Sequence, residues 1–231
     1  MVRRSNRVAK AVVLAAGKGV RLWPLTENRS KHMIPVAGRP IIEHVVYAIK
    51  SSGIRTVVVV TGYKDELIKK HLADGAKWGV KIEYVRQSDI SGTANAVSTA
   101  REHVDDSAFL LVYGDVVATP AAIRRVLHTY TGKGCVPTVG LVPVSDPESF
   151  GMARISGEWL TEIIEKPQTS DAPSNLANTG IYVLSPVIFD YLRTTTRSGR
   201  GEFEITDAIS SLARSGQPVA WTSIASSQWQ D

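Results

Sequence analysis

The chain has 231 residues, of which 43% are hydrophobic and 21% are charged, which is the balance of an ordinary soluble protein. Its net charge is +5, and it has one cysteine, Cys135, so an intrachain disulfide is excluded and a reducing cytoplasmic location is expected. No apolar run approaches the roughly 20 residues of a membrane span, and the basic residues form no dense cluster. We therefore expect neither a membrane nor a nucleic-acid partner, whereas a small polyanionic ligand and a plain basic surface fit the charge equally well.

The first two thirds of the chain alternate between apolar strands and amphipathic helices. Strands are predicted at 8–15, 56–61, 81–86, 108–112 and 136–144, with helices at 40–52, 65–73, 93–103 and 120–130. The first two strands are apolar almost throughout, as is typical of strands buried on both faces of a parallel sheet. The alternation predicts an α/β fold with a doubly wound, mainly parallel sheet flanked by helices.

The pattern changes near residue 147. Short strands are predicted at 152–155, 160–165, 181–184 and 219–223, with a helix at 205–215. Glycine, proline, serine and asparagine connect these elements, but no repeat or convincing linker divides the chain. We therefore expect a single domain over residues 1–231, with a small β-rich part at its end.

The first predicted strand ends in a glycine-rich turn. Glycines at the carboxyl end of such a strand let backbone N–H groups approach phosphate oxygens. The turn is not a dinucleotide fingerprint because Leu22 stands where the third glycine is required, and it lacks the spacing of a Walker loop. Arg21 and Lys31 would place two cations beside the backbone N–H groups of this turn. For Gly17 and Gly19 alone, a tight turn with solvated basic residues is an equally good interpretation.

The residues around this turn resemble a known family signature. Residues 14–26 read Leu-Ala-Ala-Gly-Lys-Gly-Val-Arg-Leu-Trp-Pro-Leu-Thr, and residues 30–40 read Ser-Lys-His-Met-Ile-Pro-Val-Ala-Gly-Arg-Pro. Both segments are similar to the sugar-phosphate nucleotidylyltransferases, which include glucose-1-phosphate thymidylyltransferases and N-acetylglucosamine-1-phosphate uridylyltransferases. Ser30 and His32 depart from the prolines that are common there, and neither departure changes a charge-bearing position.

The resemblance implies a Rossmann-like nucleotidyltransferase domain. Its nucleotide-binding part would cover about residues 1–146 and its sugar-binding part about 147–231, without the β-helix module that follows in many relatives. The implied reaction joins a nucleoside triphosphate to a sugar 1-phosphate of the glucose or N-acetylglucosamine type and releases pyrophosphate. Since relatives form oligomers, a homo-oligomer is also an expectation.

The resemblance also assigns roles to individual residues. The implied catalytic residues are Arg21, Lys31 and Asp115. The implied nucleotide-binding residues are Leu14, Ala15, Ala16, Gly17, Gly19, Gln87, Gly92 and Thr93. The implied sugar-phosphate-binding residues are Tyr113, Gly114, Gly151, Glu165, Lys166 and Asn178. Asp115 and Asp231 are the implied ligands of Mg²⁺, an ion that proteins commonly hold with one or two carboxylates plus phosphate oxygens. Taken singly, each of these residues could instead belong to an ordinary turn, cap or loop.

The chemistry of this set is consistent with direct in-line transfer. A phosphate monoester is already an anionic nucleophile, so the difficulty lies in bringing two polyanions together, which cations and Mg²⁺ would relieve. The amide of Gln87 can pair with the edge of a pyrimidine and so favours UTP or dTTP. Three alternatives remain: a cytidylyltransferase acting on a phospho-alcohol, a non-catalytic regulatory subunit that binds a nucleotide sugar, and a general nucleotide-binding module.

Overall fold

The computed structural model describes residues 7–199 and 201–231, and these contain thirteen strands and six α-helices. The strands are β1 (Lys10–Ala15), β2 (Pro35–Val36), β3 (Arg39–Pro40), β4 (Thr56–Thr61), β5 (Lys81–Arg86), β6 (Phe109–Tyr113), β7 (Val117–Ala118), β8 (Thr138–Pro143), β9 (Gly151–Ser156), β10 (Trp159–Glu165), β11 (Leu176–Leu184), β12 (Ala220–Ser223) and β13 (Trp229–Gln230). The helices are α1 (Ile41–Ser51), α2 (Glu66–Leu72), α3 (Thr93–Thr99), α4 (Pro120–Gly132), α5 (Ile188–Leu192) and α6 (Ile205–Arg214). None of the described helices is long and apolar enough to cross a membrane.

Nine strands form one sheet in the order β5-β4-β1-β6-β11-β8-β12-β10-β9. The strands from β5 to β6 are parallel, as the apolar runs predict. Strand β11 lies antiparallel between β6 and β8, β12 is parallel to β8, and β10 and β9 pair antiparallel at the far edge. The predicted α/β class is confirmed, and the sheet itself is mixed, with its parallel half carrying the glycine turn.

Two apolar cores lie on opposite faces of this sheet. Because successive side chains of a strand point to opposite faces, Ala11 and Val13 of β1 enter one core and Val12 and Leu14 enter the other. Helices α1, α2 and α4 cover the first face, and α3, α5 and α6 cover the second. Burial on both faces holds the parallel strands rigidly, so their carboxyl ends form a fixed edge.

The structure differs from the sequence-based prediction in several elements, among them four short strands that were not predicted, β2, β3, β7 and β13. Strand β11 begins at Leu176 rather than at residue 181, so Asn178, Thr179 and Gly180 lie inside a buried strand. Their polar groups are satisfied there, since the Thr179 hydroxyl donates to the Gly140 carbonyl at 2.7 Å. The helix predicted at 93–103 ends at Thr99, before a separate 3₁₀ turn. Helix α5 lies where no helix was predicted.

Candidate active site

A cleft of about 590 Å³ lies at the carboxyl edge of the parallel strands. Its walls come from the turn after β1, the start of α3, the segment after β6, the ends of β10 and β13, and the middle of β11. The predicted site residues that line it are Leu14, Ala16, Gly17, Gly19, Arg21, Lys31, Gln87, Gly92, Thr93, Tyr113, Asp115, Gly151, Glu165, Lys166, Asn178 and Asp231. Residues chosen from segments far apart in the sequence therefore meet in one cleft.

Two predicted site residues do not line the cleft. Ala15 was predicted to bind nucleotide, but it has no exposed surface and packs in the core beneath α1. Gly114 was predicted to bind the sugar phosphate, but its N–H donates to the carbonyl of Leu14 at 2.9 Å. An ideal β-carbon at Gly114 would lie 2.6 Å from that oxygen. Gly114 therefore lets β1 and the segment after β6 approach closely.

The side chain of Lys31 packs directly against the backbone of the glycine turn. Gly19 has a φ of 64°, in the left-handed region that favours glycine. An ideal β-carbon at this position would lie 2.9 Å from Cβ of Lys31. The hydroxyl of Thr26 donates to the Gly19 carbonyl at 3.0 Å and fixes the turn from the other side. Glycine at this position therefore allows Lys31 to lie directly beside the turn.

Lys31 forms an ion pair with Asp115 across the cleft floor. Burial on its own would raise the pKa of the Asp115 carboxyl, but the charge and hydrogen bond of Lys31 hold it below the ordinary value of 3.8. The neighbouring imidazole of His32 is 1% exposed, and burial lowers its pKa to about 4. At neutral pH the floor therefore consists of a cation, a carboxylate and a neutral ring.

The short strand β13 carries Asp231 to the same floor. Gln230, the last residue of β13, pairs with Val117 of β7, so Asp231, which follows it, faces the segment that contains Asp115. The indole of Trp229 donates to the Thr179 carbonyl at 2.9 Å. The same indole packs edge-on against Phe150, with ring centroids 5.7 Å apart. These contacts fix the end of β13 against both β7 and β11.

The pKa of Asp231 depends on the charged groups that lie near its carboxyl. Burial raises the pKa of its carboxyl above the ordinary value of 3.8, and the negative charge of Asp115 raises it further. Lys31, Arg21 and Lys166 act in the opposite direction. Two carboxylates and three cations are thus close enough to interact electrostatically. Among residues 7–199 and 201–231 no group of three or more His, Cys, Asp or Glu side chains gathers as a metal site, so any ion here would depend on this carboxylate pair and on oxygens from a ligand.

The β10 and α6 side of the cleft is braced by polar residues that the sequence did not identify. The hydroxyl of Thr206 donates to Oε1 of Glu165 at 2.8 Å. The hydroxyl of Thr93 donates to Oε2 of Glu204 at 3.2 Å and accepts from the N–H of Ile205 at 2.9 Å. Glu204 itself lines the cleft and is 4% exposed. A signal was present in the sequence, since Thr206 and Ser210 are two polar residues, four positions apart, among the apolar residues of the buried face of α6.

Gln87 lines the cleft directly after β5, the strand at one edge of the sheet. Its side chain is buried, and Nε2 donates to the Gly92 carbonyl at 3.2 Å. The segment at Gly92 is held in turn by Phe203, whose carbonyl accepts from the N–H of Ala94 at 2.8 Å. Because one amide N–H of Gln87 is engaged by backbone, the orientation of the whole amide is fixed towards the cleft wall.

A glycine turn, clustered cations and paired carboxylates at the carboxyl edge of a parallel sheet are the features of a nucleotide-handling α/β protein. The model of the nucleotidyl transferase family matches residues 10–231. The chain therefore belongs to the nucleotidyl transferase family.

Curated relatives match over most of this chain. It is 35% identical over 224 residues to the low-salt glycan biosynthesis nucleotidyltransferase Agl11 of Haloferax volcanii, covering 96% of this chain and 62% of that protein. It is 38% identical to the UTP–glucose-1-phosphate uridylyltransferase AglF of the same organism, covering 91% of this chain and 86% of AglF. It also spans 47% of the bifunctional protein GlmU of Methanocaldococcus jannaschii, at 38% identity. The chain thus spans between about half and two thirds of several of these longer relatives.

Solved structures agree with the fold. A UTP-bound UGPase from Acinetobacter baumannii superposes with a TM-score of 0.80 at 26% identity, covering 97% of this chain and 87% of that one. A UDP-glucose pyrophosphorylase complexed with UDP-glucose superposes with a TM-score of 0.83 over 93% of this chain and 90% of that one. Because its identity is 24%, the second comparison supports the fold alone.

Proposed function

We propose that this protein transfers a nucleotidylyl group from a nucleoside triphosphate to a sugar 1-phosphate, giving a nucleoside diphosphate sugar and pyrophosphate. The observation that carries the proposal is the convergence of Asp115, Asp231, Lys31 and Arg21 in one cleft beside the glycine turn. The named activity of AglF, which this chain covers almost in full, supports the same reaction class.

The carboxylate pair is suited to Mg²⁺. Carboxylate oxygens are ligands that this ion prefers. The repulsion from Asp115, which adds to burial in raising the pKa of Asp231, would be relieved by a divalent cation held by the two carboxylates. We therefore propose that these two residues hold Mg²⁺ together with phosphate oxygens of the substrates. Bound there, the ion would neutralise developing charge on the phosphates and orient them.

The cations of the chain would provide the remaining electrostatic stabilisation. Arg21 presents a planar fork of donors, which suits the oxygens of the transferring and leaving phosphates. Lys31 would exchange its partner Asp115 for the α-phosphate when the triphosphate binds, since both compete for one ammonium group. Lys166 would contact the phosphate of the sugar. No general base is needed, because the attacking phosphate oxygen is already anionic.

The residues at the two ends of the cleft narrow the choice of nucleotide and sugar substrates. We propose that Gln87 and the nearby start of α3 pair with the edge of a pyrimidine, which favours UTP or dTTP. The opposite end, formed by Glu165, Asn178 and Tyr113, offers carboxylate, amide and hydroxyl groups suited to sugar hydroxyls. A sugar of the glucose or N-acetylglucosamine type, a cytoplasmic location and a homo-oligomeric state complete the proposal.

The test is pyrophosphate release measured with four nucleoside triphosphates and several sugar 1-phosphates, with and without Mg²⁺. We expect turnover with UTP or dTTP that depends on the metal. Arg21→Ala should reduce turnover at least about 100-fold, as expected for loss of a donor to a developing charge. The control is Arg193→Ala, an exposed arginine outside the cleft, which should keep wild-type turnover. Near-normal turnover of Arg21→Ala, or nucleotide binding that is indifferent to divalent cations, would overturn the proposal.

A further inference from the structure

Three polar side chains form a hydrogen-bonded chain behind the sugar end of the cleft. Nδ2 of Asn178 donates to the hydroxyl of Tyr182 at 2.5 Å, and that hydroxyl donates to the hydroxyl of Tyr113 at 3.2 Å. Asn178 and Tyr113 line the cleft, whereas Tyr182 does not line it and is 0% exposed. Tyr182 therefore connects two cleft residues from inside the core.

The groups at the two ends of this series of hydrogen bonds determine which atoms donate and which accept. The N–H of Gly180 donates to Oδ1 of Asn178 at 3.2 Å, so a flipped amide would place two donors against each other. Nδ2 must then face Tyr182, whose oxygen accepts. The buried proton of Tyr182 has one acceptor among the described residues, the Tyr113 oxygen, and leaving it unpaired would be costly.

Both phenols keep their protons over the working pH range. Burial raises the pKa of Tyr113 well above its ordinary value, and the neighbouring Tyr182 and Glu165 raise it further. Burial likewise raises the pKa of Tyr182. The Tyr113 oxygen accepts from Tyr182, and within the described part of the chain its own proton has no acceptor. The Tyr113 hydroxyl is therefore left to donate towards the cleft.

We propose that Tyr182 is a positioning residue that sets the polarity of the sugar end of the cleft, making Tyr113 a hydrogen-bond donor to an oxygen of the sugar. This inference rests on the proposed function and adds to it a residue outside the cleft that governs sugar selection. The subsite accordingly selects a sugar 1-phosphate that presents an acceptor oxygen to Tyr113.

The test compares sugar 1-phosphates in which single hydroxyls are replaced by fluorine, which preserves size but accepts hydrogen bonds weakly. For one ring position, wild-type kcat/KM should fall about 3- to 10-fold, the effect of losing one uncharged hydrogen bond. In Tyr113→Phe, which has no hydroxyl to donate, the same replacement should cost less than about 2-fold, and in Tyr182→Phe it should cost less than in the wild type, because the Tyr113 hydroxyl is no longer held in orientation by Tyr182. Tyr182→Phe should also raise KM for the parent sugar 1-phosphate while KM for the triphosphate stays unchanged.

The matched control is Tyr130→Phe, which removes a buried phenol hydroxyl from α4 on the other face of the sheet. It should leave the discrimination between the parent sugar and its fluoro analogues at the wild-type value. Discrimination is a ratio within each variant, so a partial loss of folded protein does not change it. Wild-type discrimination in Tyr182→Phe, or equal rises of KM for both substrates, would overturn the inference alone. A wild-type protein that turns over no sugar 1-phosphate would overturn the proposed function, and this inference with it.

Discussion

Replacing Gly180 by alanine should destabilise the protein in two separable ways. Gly180 has a φ of 73°, and an alanine held in this left-handed region costs about 1–2 kcal/mol. In addition, an ideal β-carbon there would lie 2.7 Å from both Cγ and Cδ2 of the Tyr113 ring. That ring cannot retreat freely, since it packs against Tyr182 with centroids 5.9 Å apart. Overpacking of this kind adds about 1–3 kcal/mol. The free energy of unfolding should therefore fall by about 2–5 kcal/mol.

The assay is urea unfolding followed by tryptophan fluorescence, with Gly216→Ala as the matched control. Gly216 has a φ of 86°, and no atom lies within 4 Å of its ideal β-carbon, so this variant carries only the backbone cost of about 1–2 kcal/mol. The difference between the two variants isolates the contact with Tyr113. Because Tyr113 lies two residues before Asp115, the displaced ring should also raise KM for the sugar 1-phosphate. Losses of stability that agree within about 0.5 kcal/mol would refute the argument.

Two further predictions concern the cleft floor. In the wild type the folded pKa of Asp115 lies below 3.8, so its stabilising contribution is present above that value and is lost as the pH falls through the folded pKa. Lys31→Met removes the responsible cation, so the free energy of unfolding of this variant should lie below that of the wild type at neutral pH. Urea titrations should show that the gap narrows as the pH falls below 3.8, and a gap that widens in acid would contradict this. Trp229→Phe keeps a ring against Phe150 but loses the donor to the Thr179 carbonyl at 2.9 Å. The Mg²⁺ concentration for half-maximal pyrophosphate release should rise about 3- to 10-fold, and an unchanged requirement would show that Asp231 does not depend on this contact.

Local pattern was sufficient to predict the parallel half of the fold. The bounds of β4 and β5 are those predicted, because each is a short β-branched or alternating run between clear turns. The same logic predicted Arg21 and Lys31 beside the glycine turn at the carboxyl end of β1, and the family resemblance added Asp115, which lines the same cleft. The family resemblance added Gln87 and Asp231, neither of which stands out by its residue type or spacing.

The antiparallel half of the sheet could not be predicted in full from the periodicity of apolar residues. Strand β11 lies between β6 and β8, so its pairing partners are distant in sequence, and its apolar run is interrupted near the start by the polar residues Asn178 and Thr179. Asn178 and Thr179 are accepted in a buried strand only because specific partners satisfy them. A pattern method expects such residues in a loop, which is why the strand was predicted too short.

The same buried polar residues link the fold to the proposed chemistry. Strand β11 contributes Asn178 to the cleft, the Thr179 carbonyl to Trp229, and Tyr182 to the hydroxyl of Tyr113. The Trp229 contact bears on the position of Asp231, whereas the Tyr182 contact bears on the sugar end, so one strand would serve both metal binding and sugar selection. These contacts lie close together along β11, in the stretch from Asn178 to Tyr182 where the register of β11 with β8 shifts. Variants of β11 should therefore alter Mg²⁺ dependence and sugar discrimination separately, according to which contact is removed.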